Sequence, residues 1–261
     1  MTMRIPEIFT LKHRVAALLL SLFLLTGCAE LTNILQTASA VQELSEGDIV
    51  SGLKEALKVG AGNAADRLSS EDGYYGDMSV KIPLPDEARV IVENIGRIPG
   101  GEQLIENVIL SINRAAEDAA REVTPIFVGS VTQMTIADGY NILHGADNAA
   151  TEYLRKTTWN ELYSLYGPKI AASTNKEIIG GISAQESWTT LIEKWNIVAN
   201  SIAGRLAGFK SVTTDLDNFL TNKALEGIFL KLEGEELKIR KEVSARVTPI
   251  LRRVFGTLDI K

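Results

Sequence analysis

After residue 45, apolar side chains return every three or four positions along almost the whole chain, and no stretch alternates long enough to make a strand. A chain patterned this way can hide its apolar surface only by packing helices against one another. Trp188, Leu191, Ile192, Trp195, Val198, Ala199 and Ile202 draw one such stripe, about four turns long. Leu104, Ile105, Val108, Ile109, Ile112, Ala115, Ala116 and Ala119 draw another, where the alanines permit close helix approach. The segment 224–232, "ALEGIFLKL", is apolar on most sides and predicts a central, buried helix. The expected architecture is all-α: a single domain over 45–261 of roughly eight to ten helices with one long loop.

Helix starts are marked by local chemistry. Ser183-Ala184-Gln185-Glu186 and Thr158-Trp159-Asn160-Glu161 have the spacing in which a hydroxyl covers an orphan N–H and a glutamate reaches back to the cap. "EVTPIF" at 122–127 and "RVTPIL" at 246–251 look like a repeat, but the flanking residues do not continue the match. Thr-Pro is also a helix start, the proline sitting in the first turn where its missing N–H costs nothing. Thr124 and Thr248 are therefore expected to cap helices. The longest stretch without helical pattern is 69–85, "SSEDGYYGDMSVKIPLP", in which glycines flank Tyr74-Tyr75. It reads as a surface loop, with a short extended piece around 79–84.

The N-terminus reads as a targeting segment. Lys12, His13 and Arg14 precede an apolar core from Val15 to Leu25, too short to span a bilayer as a helix. Leu25-Thr26-Gly27-Cys28 resembles the lipobox of bacterial lipoproteins, in which cleavage before the cysteine leaves it to be acylated. Cys28 is the only cysteine, so it makes no intramolecular disulfide. It is expected to be a lipid-attachment residue carrying palmitate-type chains, several of which make a durable anchor where one is marginal. Residues 1–27 are then signal peptide and 28–44 a lipidated tether, with apolar residues at helical spacing from Glu30 to Gln42. By the same resemblance, Ala29 in place of an aspartate favours the outer membrane, the domain facing the periplasm.

Charge narrows the partners. Residues 1–27 carry three bases (Arg4, Lys12, Arg14) and one acid (Glu7), so the formal charge of −6 becomes about −8 after cleavage. Such a chain lacks the basic surface that neutralises phosphates, which argues against nucleic acid. It also offers no general attraction to anionic lipid, so the acyl chains on Cys28 are expected to be the membrane contact.

Usual catalytic signatures are missing from the sequence. Only two histidines occur, and His13 leaves with the signal peptide. His144 stands at the end of a helix, where a cation suits the dipole. No paired cysteines, His-Glu-x-x-His or phosphate loop is present, so no metal and no cofactor are expected. "GGIS" at 180–183 lacks the second glycine of a nucleophile elbow, and "DGYN" at 138–141 lacks the ligand spacing of a calcium loop. Carboxylates remain. Glu117 lies one turn from Asn113 and Arg114, and Glu236 is spaced i,i+4 from Arg240. Pairs of this kind are usually solvated, worth roughly 0.2–0.5 kcal/mol.

The ordered motifs "IPLP" (82–85), "NRAAE" (113–117), "PIF" (125–127), "QMTIADGYNILHGADNAATEYLR" (133–155), "KALEGIF" (223–229), "EELKIR" (235–240) and "ARVTPILRRVFG" (245–256) resemble domain-of-unknown-function family 4197, whose members are commonly lipoproteins. The likeness runs from about Leu44 to Gly256, specific in combination and weak motif by motif. His144 and Val243 depart from it, the family tending to a small polar residue and a proline there. The resemblance implies a helical, lipid-anchored, periplasm-facing protein and supplies no activity. It does weight ten polar positions inside the motifs: Asn113, Arg114, Glu117, Asp138, Asp147, Thr151, Arg155, Glu236, Arg240 and Arg246. Several of these are expected to converge into one buried or half-buried polar network or ligand site between helices, since buried charge persists only when paired and hydrogen-bonded.

Three functions compete on this basis. The first is a non-enzymatic envelope lipoprotein that binds a protein partner or supports an assembly, through an exposed patch such as Tyr74-Tyr75. The second is a carrier holding a small apolar or lipid ligand between helices. The third is a carboxylate-based enzyme acting on envelope saccharides.

Overall fold

A computed structural model describes residues 44–133, 135–137 and 139–259. The signal peptide, Cys28, the tether helix expected over 30–42 and Asp138 lie outside the described residues. The chain divides at Ser45, and Glu46–Lys261 forms one compact unit.

That unit is all-α, with ten α-helices and no strand among the described residues. In chain order they are α1 (Glu46–Leu68), α2 (Arg89–Glu93), α3 (Gly101–Ala120), α4 (Val123–Gln133), α5 (Gly139–Leu143), α6 (Ala149–Thr174), α7 (Ala184–Asn200), α8 (Ile202–Leu206), α9 (Leu216–Lys241) and α10 (Pro249–Phe255). Short 3-10 turns at Asp86–Ala88, Ile95–Arg97, Val243–Ala245 and Gly256–Asp259 complete it.

The apolar segment of α9 sets the centre. Ala224, Leu225, Ile228, Phe229 and Leu232 are fully buried, with α1 and α6 packed along the helix. α4 closes against α1 and α6 and brings Phe127 within 5.4 Å of Phe229, ring to ring. On the other side of Phe229, Trp159 of α6 stacks at 5.7 Å. α3 lies between α6 and α7 on its alanine face, with Ala115, Ala116 and Ala119 fully buried. α10 packs on α1.

Caps divide in an instructive way. At Ser183 the reciprocal box is complete: its hydroxyl accepts from Glu186 N–H at 3.1 Å, and the Glu186 carboxylate accepts from Ser183 N–H at 2.9 Å. Thr248 accepts from Leu251 N–H with Pro249 in the first turn. The start expected at Thr158 is absent, because α6 runs unbroken from Ala149 to Thr174 and the Thr158 hydroxyl donates back to the Leu154 carbonyl at 2.7 Å. Thr124 lies inside the first turn of α4 instead of capping it.

Trp188, Leu191, Trp195 and Ala199 form the buried face of α7. Both indoles also reach past it, Trp188 Nε1 donating to the Thr214 carbonyl and Trp195 Nε1 to that of Lys210. Ile202, expected to prolong this stripe, is instead 74% exposed, because α7 ends at Asn200 and Ser201 starts a new helix.

Candidate functional site

The nine described positions among the ten do not form one network. Two separate buried constructions take most of them, and both act on helix ends or on a loop.

The first sits where α9 crosses the junction of α5 and α6. Glu236 and Arg240 of α9, 1% and 3% exposed, pair at 2.7 Å. Pairs at this spacing are usually solvated, but the junction packs over this one and buries it. α6 begins at Ala149 with no side-chain cap of its own, because Asn148 supplies none. Glu236 does that work from another helix. Its Oε1 accepts from Ala150 N–H at 3.0 Å and from Arg240 Nε at 2.8 Å. Its Oε2 accepts from Thr151 N–H at 2.7 Å and from the Thr151 hydroxyl at 2.6 Å. A carboxylate offers about four acceptor sites, so Glu236 is saturated. It also places negative charge at the positive end of the α6 dipole.

Arg240 closes the complementary end. Its Nη1 donates to the Leu143 carbonyl at 2.6 Å and its Nη2 to the Ile142 carbonyl at 3.1 Å, covering the C-terminus of α5. Arg246, 2% exposed, then ties down the end of α9 itself, donating to the carbonyls of Ile239 at 2.9 Å and Arg240 at 3.0 Å. Asp259 meets its guanidinium with both oxygens, which holds the Asp259 carboxyl below its ordinary range. Asp147 stands at the exposed rim, where it pairs with Lys241 at 2.8 Å. Arg155 belongs to neither construction: it pairs with Glu233 at 2.8 Å and lies 4.7 Å over the Phe229 ring.

The second construction grips the long loop. Glu117 of α3, 4% exposed, accepts the consecutive N–H groups of Tyr74 (3.1 Å) and Tyr75 (3.0 Å) on Oε1. Its Oε2 takes Arg114 Nη1 at 2.6 Å, and Arg114 reaches on to Asp72 at 2.8 Å. One turn earlier, fully buried Asn113 pairs with Ile82 as a strand would, accepting its N–H at 2.9 Å and donating to its carbonyl at 2.8 Å. From the opposite side, Lys231 of α9 holds Asp77 at 2.6 Å and Ser79 at 2.8 Å. The Lys231 hydrogen bond, helped by Ser79, keeps the Asp77 carboxyl well below its ordinary range.

Tyr74 therefore does not belong to a surface patch. It is fully buried, its hydroxyl donates to the Ala224 carbonyl at 2.8 Å, and its ring fills a notch on α9 left open by Gly227. A Cβ at Gly227 would stand 2.8 Å from Tyr74 Cε1. Burial, then the neighbouring Tyr166 and Glu117, push the Tyr74 phenol well above its ordinary value. It stays neutral at any physiological pH. Tyr75 remains half-buried with Lys81 3.9 Å over its ring.

Two clefts adjoin these structures and a third lies apart from them. One of ≈ 600 Å³ lies over the loop, lined by Arg67, Ser70, Asp72, Asp77 and the exposed Met78. One of ≈ 300 Å³ lies beside Arg240 and Asp259, with His144, Asp147 and Lys241 on its wall. A third, ≈ 320 Å³ and mainly apolar, runs between α4 and α6 along Pro125, Ile126, Gly129 and Leu165. Ser130 lines it too, and its buried hydroxyl has no hydrogen-bond partner. Among the described residues no group of three or more His, Cys, Asp or Glu is placed to hold a metal ion, and no helix is long and apolar enough to cross a membrane.

Fold and site thus define a class: an all-helical domain in which buried charges, drawn from scattered motifs, fasten helix ends and one long loop. The chain belongs to the family described as "Protein of unknown function (DUF4197)", whose model matches residues 43–256. Comparison with curated proteins and with solved structures found no match.

Proposed function

We propose that this protein is a lipid-anchored, periplasm-facing envelope protein, held by acyl chains on Cys28, that binds a protein partner or supports an envelope assembly without catalysing a reaction. The observation that carries this reading is the saturation of the buried charges. Glu236 has its four acceptor directions filled, Arg240 donates to Glu236 and to two carbonyls, and Glu117 is taken up by two loop N–H groups and Arg114. A general acid or nucleophile needs a free site facing substrate, and these groups face helix ends and loop backbone. What the unit does offer outward is apolar: at the end of α9, Leu237, Val243 and Val247 are 43%, 65% and 58% exposed.

Two measurements test it together. Incorporation of a palmitate analogue should depend on Cys28, and a photo-crosslinker at position 247 should yield one discrete protein adduct in the envelope, lost with Val243→Asp. Labelling that persists in Cys28→Ala, or position-247 crosslinks that are diffuse and unaffected by Val243→Asp, would overturn the proposal.

The α4–α6 cleft favours a second reading, a carrier of a small apolar ligand. Its apolar walls and the unpartnered Ser130 hydroxyl suit a molecule with one polar group. Native mass spectrometry of protein purified gently from the periplasm tests it. A reproducible added mass that Gly129→Leu removes would support this reading, and a bare protein would remove it.

A further inference from the structure

One corner of this acidic protein is basic and greasy at once. Between Glu193 and Asp215 the chain carries three cations, Lys194, Arg205 and Lys210, and no acid, against a formal charge of −6 overall. In the same corner Ile202 and Leu206 of α8 are 74% and 85% exposed, and Ile197 in the last turn of α7 is 74% exposed. Ile202 and Leu206 are one turn apart and share a face.

The exposure is built in and is not that of a frayed end. Ser201 caps α8, its hydroxyl accepting from Gly204 N–H at 3.0 Å. Gly204 presses so closely on the end of α7 that a Cβ there would stand 2.7 Å from the Ala199 carbonyl. Below, the returning chain is pinned. Trp195 holds the Lys210 carbonyl at 3.0 Å, and the Asn196 amide pairs with Val212 in both directions, at 3.1 and 3.0 Å. Phe209 packs against Trp195 at 5.2 Å, with the Arg97 guanidinium 5.1 Å over the Phe209 ring, adding a further cation. α8 packs chiefly on α7, so its outward face has no main partner among the described residues.

We propose that the α7–α8 corner docks on an anionic phospholipid surface. Ile202 and Leu206 enter the acyl boundary, while Arg205 and Lys210 stay among the phosphates; long cationic side chains reach the headgroups from such positions. A second copy of the chain fits less well, since a self-complementary contact would set the same cations against each other. This contact belongs to the folded unit and does not depend on Cys28, so it adds a membrane-facing orientation to whatever tether the chain has.

Because Glu46–Lys261 is one compact unit, residues 29–261 can be tested without leader or acyl chain. Flotation would compare vesicles containing phosphatidylglycerol with vesicles of phosphatidylcholine alone. Binding should favour the anionic vesicles and weaken with salt. Each cation removed in Arg205→Gln and Lys210→Gln should cost about fivefold in partitioning. Ile202→Asp/Leu206→Asp should abolish binding while leaving the melting temperature unchanged, because both side chains already face solvent. Equal flotation on both vesicle types, or full binding by the Asp pair, overturns the proposal. So does a concentration-dependent dimer that the Asp pair dissolves, which would assign the corner to a second copy. None of these results affects palmitate labelling of Cys28, so the anchor reading stands or falls separately.

Discussion

Glu236→Gln is the sharpest probe of how this fold is held together. An ordinary buried ion pair costs about 3–5 kcal/mol when one partner is removed, yet replacing both partners with apolar residues is often neutral or stabilising. The α9 pair should obey the first rule and break the second. Glutamine keeps the shape of Glu236 but brings one donor group into a site where four donors already converge: Ala150 N–H, Arg240 Nε–H, Thr151 N–H and the Thr151 hydroxyl. Arg240, 3% exposed, is left without its counter-charge. The single substitution should therefore destabilise by about 3–5 kcal/mol. In a unit of this size that lowers the melting temperature by about 10 °C.

The double substitution Glu236→Leu/Arg240→Met distinguishes a helix-end fastener from a plain ion pair. It removes both charges, but it orphans two N–H groups at the start of α6 and the Leu143 carbonyl at the end of α5, where Ile142 keeps the Gly145 N–H. Each buried unsatisfied group costs about 1–3 kcal/mol, so the double variant should remain at least about 3 kcal/mol less stable than the parent. Urea unfolding at neutral pH, with the midpoint and slope compared across the set, gives the answer. A double variant as stable as the parent would refute the fastening argument, as would a cost below about 1 kcal/mol for Glu236→Gln.

Glu117→Ala should release the long loop, because it orphans the N–H groups of Tyr74 and Tyr75 and leaves Arg114 held by Asp72 alone among its close partners. Tryptic cleavage after Lys81 should quicken about tenfold or more, since a loss of about 1.4 kcal/mol in local opening already gives that factor; an unchanged digestion rate would count against the clamp. Gly227→Ala drives a methyl into the Tyr74 ring and should cost about 1–3 kcal/mol. The expected companion is a loss of near-ultraviolet tyrosine dichroism, and an unperturbed melt would show that the notch is slack. Asp77 provides the pH dependence. Its carboxyl is held low by Lys231, so the stability it adds is present above about pH 4 and is lost as the pH falls through its folded-state value. The gap in melting temperature between the parent and Asp77→Asn should narrow as the pH falls below about 4; a constant gap would show that Asp77 contributes by shape and not by charge.

What the sequence discloses and what it hides follow from the range of the forces involved. The helical period and the central α9 are local patterns and read correctly. The two Ser/Thr-x-x-Glu motifs show the limit of such reading. Ser183 follows Gly180 and Gly181, both at positive φ, so the chain has already left any helix. Thr158 follows nine helical residues and its hydroxyl simply bonds back one turn, a use that the same spacing permits. Tyr74 and Tyr75 between glycines look like a loop tip, and nothing nearby announces the notch at Gly227 that receives Tyr74. Glu236 and Arg240 sit among the charged Glu235, Lys238 and Lys241, so their stretch looks solvated. Their burial is imposed by α5 and α6, more than 80 residues earlier in the chain.

The same geometry changes what the motif positions mean. Polar residues grouped in matched motifs invite the idea of a shared site, and several here are buried, as a site would require. Their partners decide otherwise. Glu236, Arg240 and Arg246 bond mainly to backbone at the ends of α6, α5 and α9, while Asn113 and Glu117 bond to loop backbone at Ile82, Tyr74 and Tyr75. Backbone at a helix end needs a partner whatever side chains surround it. A chain with several short helices and a long loop has many such ends, and side chains from distant helices satisfy them here. Residues placed for that purpose are fixed by architecture, so the surfaces that meet other molecules are to be sought in the exposed apolar side chains at the end of α9 and at the α7–α8 corner.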